Sequence, residues 1–387
     1  MVIKTAKEVD PLREYTVKSG DSLYTIAREY GIAPALILLS NPAIADPMQL
    51  LPGTPINIPE TPNNAMEVYV NGYAFPTIDM DVLRRTLPYL TYLGIFSYQV
   101  QPNGALVPIE DMPLITAARE ANVAPLMVIT NIGEDGSFSS DVAHAILTDN
   151  AVQETLLNNV VNTLKAKNYF GLDVDFEYIY PADGPAYVAF LKKAVGRLHP
   201  LGYIVTTALA PKTSAEHQGL LYEAHDYAAI GALVDHVILM TYEWGHTYGP
   251  PMAVSPANQV RRVLEYATTA IEPEKILMGM PNYGYDWTLP YMQGRAARSI
   301  SFARAMELAE EHNAQIQFDP QAQAPYFFYA DNGTRHVVWF DNRESLHARY
   351  DLVNEFDLGG VSFWTINRFS PVSYGMLASM FEIRKVL

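Results

Sequence analysis

From residue 67 onward, eight short apolar runs alternate with longer amphipathic stretches. The runs are "EVYVNGY", "YLGIFSYQV", "APLMVIT", "YFGLDVDFE", "YIVTTALA", "VDHVILMTYEW", "KILMGMPNYGY" and "LGGVSFWTI". Stretches such as "DVAHAILTDNAVQETLLNNVVNTLKAK" between them carry helical periodicity. Eight strands alternating with helices predict an α/β fold, a (β/α)8 TIM barrel. One interval is too long for a single helix. Between "MPNYGYDW" and "LGGVSFW" lies "PYFFYADNGTRHVVWFDN", which alternates like a hairpin around Asn332-Gly333. It predicts a small α+β insertion after strand seven, about residues 288–342, standing as a wall beside the barrel mouth.

Ahead of the barrel, residues 15–59 read as strand–helix–helix–strand. "EYTVKSG" is a strand ending in a turn at Gly20, and Asp21 is placed to cap a helix carrying Leu23, Ile26, Ala27 and Tyr30. Gly31 stops that helix, Pro34 opens a second running to about Asn41, and "LLPGTPINIP" gives a turn and a closing strand. The whole stretch, "YTVKSGDSLYTIAREYGI…LLSNP…LLPGTPINIP", resembles a LysM module. The resemblance implies a small βααβ domain that binds N-acetylglucosamine units of peptidoglycan or chitin. Its groove would be formed by Gly20, Asp21, Ser22, Leu23 and the 44–51 loop, which begins at Ile44. Residues 1–14 are too short for a second copy. Residues 60–66 are polar with a proline and read as a short, stiff linker, and residues 67–387 make the second domain.

A chain of 387 residues is long enough for two domains. Nearly half its residues are apolar and 18% are charged, a soluble globular composition. The net charge of −16 argues against nucleic acid and anionic membrane as partners. Cys is absent, which excludes a disulfide framework, thiolate metal sites and a Cys nucleophile. The N-terminus lacks the apolar core of a signal peptide, so the chain either stays in the cytoplasm where it is made or has lost a leader. No apolar run reaches the length of a membrane span. A monomer is expected.

The fourth run contains the chemistry. In "YFGLDVDFEYIYP", Asp173, Asp175 and Glu177 alternate with Val174 and Phe176. On a strand the three acids share one face. In a barrel that face points inward and climbs toward the C-terminal mouth, where such barrels hold their active sites. Three carboxylates so close repel one another in a low-dielectric interior unless protons are shared or donors compensate. Such a stack can keep a proton on the acid at the rim, whose natural work is proton donation. A solvated polar face conflicts with the surrounding buried-strand pattern. A calcium loop would need Gly where Tyr178 stands and Glu where Gly184 stands, and the nine His show no ligand spacing, so no metal is expected. There is no G-x-S-x-G and no Cys for acyl-type nucleophilic hydrolysis. No cofactor is implied.

"FGLDVDFEY" resembles the D-G-x-D-x-D-x-E pattern of glycoside hydrolase family 18, the chitinase-like barrels. Phe170 stands at the first Asp of that pattern, and Asp173, Asp175 and Glu177 keep the rest. "LMTYEW" resembles the sixth-strand M-x-Y-D, with Glu243 for the usual Asp. "MPNYGYDW", with Asn282 and Tyr283, resembles the seventh-strand motif, and "GGVSFW" supplies the eighth-strand Trp364. The resemblance implies retaining hydrolysis of β-1,4 bonds assisted by the substrate. Glu177 would protonate the glycosidic oxygen while the sugar's own 2-acetamido oxygen attacks C1 and forms an oxazolinium ion. Asp175 would hold the acetamide N–H, Asp173 would share its charge and proton, and Tyr242 would donate to the acetamide oxygen. Glu243 could support the same group, although its extra methylene shifts the carboxylate.

Trp244, Trp287 and Trp364 fall just after strands six, seven and eight, where indoles can stack on sugar rings. Trp339 reads as core, and Trp287 has a core reading beside its mouth reading. LysM and barrel together point to one polymer class containing N-acetylglucosamine. The arrangement resembles the spore cortex fragment-lytic glucosaminidases, although those more often carry two LysM modules. That implies cleavage after N-acetylglucosamine in spore peptidoglycan, in the spore cortex or coat or at the cell wall. A chitinase or chitooligosaccharide hydrolase would use the same residues. A non-catalytic chitin-binding lectin would typically have lost Glu177.

Overall fold

The computed structural model describes residues 13–30, 32, 37, 40, 41, 44, 50–58 and 65–387. The chain divides into two compact units, residues 1–67 with 370–382 and residues 68–369 with 383–387. No helix among the described residues is long and apolar enough to cross a membrane.

In the N-terminal module, β1 (Arg13–Thr16) pairs antiparallel with β2 (Pro55–Ile58), Tyr15 opposite Ile56. Gly20 takes a φ of 89°, which a side chain would resist. The helix Leu23–Tyr30 follows. Its cap is Ser22 rather than Asp21: Thr25 N–H donates to Ser22 Oγ at 3.1 Å and Ser22 N–H donates to Thr25 Oγ1 at 2.9 Å. Asp21 instead closes the preceding turn, accepting from Lys18 N–H at 2.7 Å and Tyr15 Oη at 2.8 Å. Those bonds hold its carboxyl below the usual range. Of the expected second helix, Ile37, Ser40 and Asn41 are described; the first two are helical and Asn41 lies past the helix end. Most of that helix, of the 44–51 loop and of the linker, together with residues 1–12, lies outside the described residues.

The second unit is the expected barrel. Its strands are β3 (Met66–Ala74), β4 (Tyr92–Gln99), β5 (Ala124–Thr130), β6 (Gly171–Asp175), β7 (Ile204–Leu209), β8 (His236–Leu239), β9 (Ile276–Pro281) and, after the insertion, β15 (Gly360–Trp364). Each pairs in parallel with the next, and β15 closes the ring on β3 with Val361 opposite Val70. Closure leaves no open strand edge.

The insertion begins earlier than the hydropathy suggests. β9 ends at Pro281, and "GYDWTL" starts a new antiparallel strand, β10 (Gly284–Leu289). With β11 (Arg298–Ile300), β12 (Gln317–Asp319), β13 (Ala324–Asp331) and β14 (Thr334–Trp339) it forms a sheet in the order β11-β10-β14-β13-β12. The helix Phe302–Glu311 packs on it through Ala305, Leu308 and Ala309, against Phe327 and Val338. β13 and β14 turn at Asn332 and Gly333, both with positive φ, as a two-residue hairpin loop requires.

Candidate active site

β6 lies between β5 and β7, with Val128 and Thr206 level with Asp173. Its two faces diverge as alternation demands. Leu172, Val174 and the following Phe176 are fully buried, and the Phe176 ring stacks on Phe190 and Tyr187 of the helix Gly184–Leu198 at 5.9 and 6.1 Å. Asp173 and Asp175 therefore face the barrel interior, 1% and 5% exposed. The ladder stops at Asp175, and Glu177 comes two residues later, partly open to solvent. Asn131, just beyond β5, fixes Glu177 by its main chain: Glu177 N–H donates to Oδ1 at 2.9 Å, and Nδ2 donates to the Glu177 carbonyl at 2.8 Å. Tyr178 then takes a φ of 53°, and the chain turns away.

The three acids occupy different environments. Asp173 accepts from Tyr73 Oη at 2.7 Å and Thr206 Oγ1 at 2.6 Å. Burial outweighs those bonds and pushes its carboxyl up to about 6. Asp175 is raised well above the carboxylate range, first by burial, then by the charges of Glu177 and Asp173. Its Oδ1 is buried without a hydrogen-bond partner among the described residues. Burial pushes Glu177 up to about 7. The Tyr242 hydroxyl lies in the field of Asp175, Glu177 and Glu243; burial and those charges raise it and keep it a neutral donor.

A cavity of about 450 Å³ lies by the end of β15, its walls including Phe75, Glu243, Asn282, Tyr283, Trp364 and Arg368. None of the three acids lines it; Trp364 links it to them through Tyr73, the donor to Asp173. Trp364 is partly exposed and stands edge-on to Phe96, Tyr73 and Phe75 at 4.8, 5.5 and 5.9 Å. Glu243 has a φ of 65°, an uncommon conformation for a residue with a side chain, and is clasped by the hydroxyls of Tyr283 and Tyr285. Glu243 is exposed as a residue, while its carboxyl, enclosed by the two phenols, is raised by desolvation against the pull of those two donors. Asn282 is 4% exposed, and its amide donates to the carbonyls of Thr365 at 3.1 Å and Arg368 at 2.6 Å, holding the loop after β15.

Two of the expected sugar platforms do not line this cavity. Trp287 is 2% exposed; it sits on β10 opposite Val337, packs on Tyr285 at 5.4 Å, and donates Nε1–H to the Gly249 carbonyl at 3.0 Å. It is core of the insertion because the strand carrying it belongs to the insertion sheet. Trp244 is partly exposed and lies on a segment paired to Val254. Trp339, expected in the core, is partly exposed and stacks on Tyr326 at 4.5 Å. In the N-terminal module, the Leu23 side chain is 5% exposed and packs into a core with Val17, Ile26, Ile56 and Ile58; Ile44 lies at the edge of that core.

Tyr73, Thr206, Asn131, Phe75 and Tyr285 escaped the sequence reading. The signal for Tyr73, Thr206 and Asn131 was a polar group at an inward position or C-terminal end of an apolar strand, where barrels place function; Phe75 and Tyr285, the latter on the insertion sheet, carried no such signal.

A closed (β/α)8 barrel whose carboxylates, raised by burial, climb one strand to the mouth is the architecture of a glycosidase. The chain belongs to the glycosyl hydrolases family 18, whose model matches residues 69–368, and a LysM domain matches residues 15–59. It is similar to the cortical fragment-lytic enzyme of Bacillus subtilis, 45% identical over 306 residues that span 78% of this chain and 70% of that one. Among solved structures it is similar to the spore cortex-lytic enzyme SleL of Bacillus megaterium, with 42% identity, a TM-score of 0.81, and 97% of this chain and 87% of that chain covered. The corresponding values for SleL of Bacillus cereus are 37%, 0.81, 96% and 87%.

Proposed function

We propose that the chain cleaves the β-1,4 bond after N-acetylglucosamine in peptidoglycan, with spore cortex fragments as its substrate. Retention would come through an oxazolinium ion formed by the substrate's own acetamide. The observation that carries the mechanism is the buried, unpartnered Oδ1 of Asp175 between two other acids. A buried acceptor without a donor is costly, and an acetamide N–H is a donor of the right kind. Glu177, raised to about 7, would give its proton to the glycosidic oxygen as the C1–O bond breaks. The acetamide oxygen would form the new bond to C1, with Tyr242 donating to it. Water would then open the oxazolinium ion and return a proton to Glu177. Asp173, anchored by Tyr73 and Thr206, would take up the proton that Asp175 releases as Asp175 ionises. The cortex substrate is supported by the cortex-lytic relatives and by the LysM domain, which also support a site of action at the spore or cell wall.

Digesting cortex fragments and chitin oligomers side by side, with mass spectrometry of the new reducing ends, tests this. N-Acetylglucosamine at the new ends of cortex fragments is the expected result. N-Acetylmuramic ends, or cleavage of chitin oligomers alone, would overturn it in favour of a different polarity or of a chitinase.

A further inference from the structure

Next to the active-site cavity lies a second hollow of about 410 Å³, lined by Arg298, Ser299, Ile300, Ser301, Arg304, Arg368 and Phe369. Ser299 and Arg368 line both, so the two spaces share a wall. The hollow gathers three guanidiniums and no carboxylate, on a chain whose net charge is −16. The three arginines are not equivalent. Arg304 is neutralised along its own helix by Glu307 at 3.1 Å and Glu311 at 2.7 Å. Arg368 is exposed and, among the described residues, its guanidinium donates to a neutral group, Ser299 Oγ, at 3.3 Å. Arg298 is exposed on β11. Asp286, its neighbour across the strand pair, spends both oxygens on His336 at 2.9 Å and Tyr329 at 2.7 Å. No ion pair joins Arg298 or Arg368 to a carboxylate among the described residues.

Location gives these charges a meaning. Glu177 follows the fourth strand of the barrel and Trp364 ends the eighth, so the two stand across the ring from each other. The sugar whose acetamide meets Asp175 lies between them. On the peptidoglycan reading, a sugar reaching the arginines past Trp364 is the next one along the chain. In a polymer cut after N-acetylglucosamine with strict alternation, that neighbour is the muramic unit. It differs from N-acetylglucosamine by a lactyl ether that ends in a carboxylate or in a peptide with carboxylates. An acidic protein repels such a chain at long range, but at physiological salt the field beyond ~8 Å is screened, and local guanidiniums decide. Arginine is also the side chain whose planar fork fits a carboxylate with two parallel bonds.

We propose that this hollow is a subsite for the carboxylate borne by the sugar next to the cleaved N-acetylglucosamine, with Arg368 as its inner contact and Arg298 as its outer one. The proposal rests on the peptidoglycan reading above and makes these residues the determinants of anionic over neutral glycan.

The test uses the full chain and two soluble oligomers of alternating N-acetylglucosamine and N-acetylmuramic acid, one with free lactyl carboxylates and one with those groups converted to methyl amides. The quantity read is the ratio of kcat/KM for the carboxylate oligomer to that for the amide oligomer. Arg368→Gln and Arg298→Gln should each lower this ratio, Arg368→Gln by roughly tenfold, the loss expected for one charge-assisted contact. Arg368→Lys should restore part of it. Added salt should lower the ratio in the unaltered protein and leave it flat in the double variant. A ratio unchanged by both substitutions, with both oligomers cleaved, would overturn the subsite and leave the peptidoglycan reading standing. Failure of the unaltered protein to cut either oligomer while it cuts N-acetylglucosamine oligomers would overturn the substrate reading and the subsite with it.

Discussion

Asn131 holds the main chain of Glu177 from both sides, accepting its N–H at 2.9 Å and donating to its carbonyl at 2.8 Å. Glu177 lies beyond the last paired residue of β6, so no ladder fixes it there. The side chain of a neighbouring strand end does so instead. An acid outside regular structure keeps its aim only if its backbone is held, and a small misplacement of a proton donor is expensive.

Asn131→Ala should therefore lower kcat on a soluble N-acetylglucosamine oligomer by about 10- to 100-fold with a smaller change in KM. The unpaired Glu177 N–H should cost roughly 1–3 kcal/mol of stability. Steady-state kinetics and a denaturant curve on the same variant check both. An unchanged kcat would show that Glu177 does not depend on this clasp.

Glu177→Gln should reduce turnover by at least ~10²-fold while oligosaccharide binding, read by calorimetry, persists. In the unaltered protein kcat/KM should fall as pH rises through about 7, because the acid must carry its proton and its carboxyl is raised to that value by burial. Activity that climbs steadily from pH 6 to 9 would remove Glu177 from the acid's role.

The same shifts predict a stability trend. Asp173 and Glu177 titrate at about 6 and about 7 when folded, against ordinary values of 3.8 and 4.5. The folded chain thus binds more protons than the unfolded one between these limits. Their contribution to stability is complete below about pH 4 and is lost as pH rises through 6 to 7. Glu177→Gln should therefore melt higher than the unaltered protein at pH 8, on the order of 1 kcal/mol, with no such advantage at pH 4. Melting curves at the two pH values decide it; an equal difference at both would contradict the buried-acid account.

Asp175→Asn should lose most activity, and a thiazoline analogue of the oxazolinium ion should inhibit the unaltered protein competitively. A substrate with a 2-hydroxyl in place of the 2-acetamide should bind without turnover. A covalent glycosyl ester on Asp175, trapped by quenching and seen by mass spectrometry, would refute the acetamide as nucleophile.

Trp287 and Trp364 should separate cleanly. Trp287→Ala removes a 2% exposed ring and its bond to the Gly249 carbonyl, and should cost about 3–5 kcal/mol. Trp364→Ala, at the cavity wall, should raise KM by a larger factor than Trp287→Ala, measured where both variants are folded. The reverse ranking of KM would return Trp287 to the glycan path.

The sequence by itself determined what is periodic or local. Alternation in 172–176 puts Asp173 and Asp175 on one face and Leu172, Val174 and Phe176 on the other, and Glu177 is legible as the next acid in that pattern, although its aim depends on Asn131. Asn332-Gly333 can turn a hairpin because both residues tolerate positive φ. Eight apolar runs with helices between them admit few architectures besides a barrel. Only the tertiary structure decided which distant groups meet. Tyr73 reaches Asp173 from 100 residues away, Thr206 from 33, and Asn131 reaches Glu177 from 46. Closing the ring sets those distances. Trp287 looked like a mouth residue because it trails an apolar run, yet a two-residue break after Pro281 moves it onto another sheet and into its core. Arg298 and Arg368 are seventy residues apart and share a hollow only because the insertion folds back beside the loop after β15. Side-chain periodicity reports a residue's own face; strand pairing across the barrel and the insertion sheet decides what that face meets.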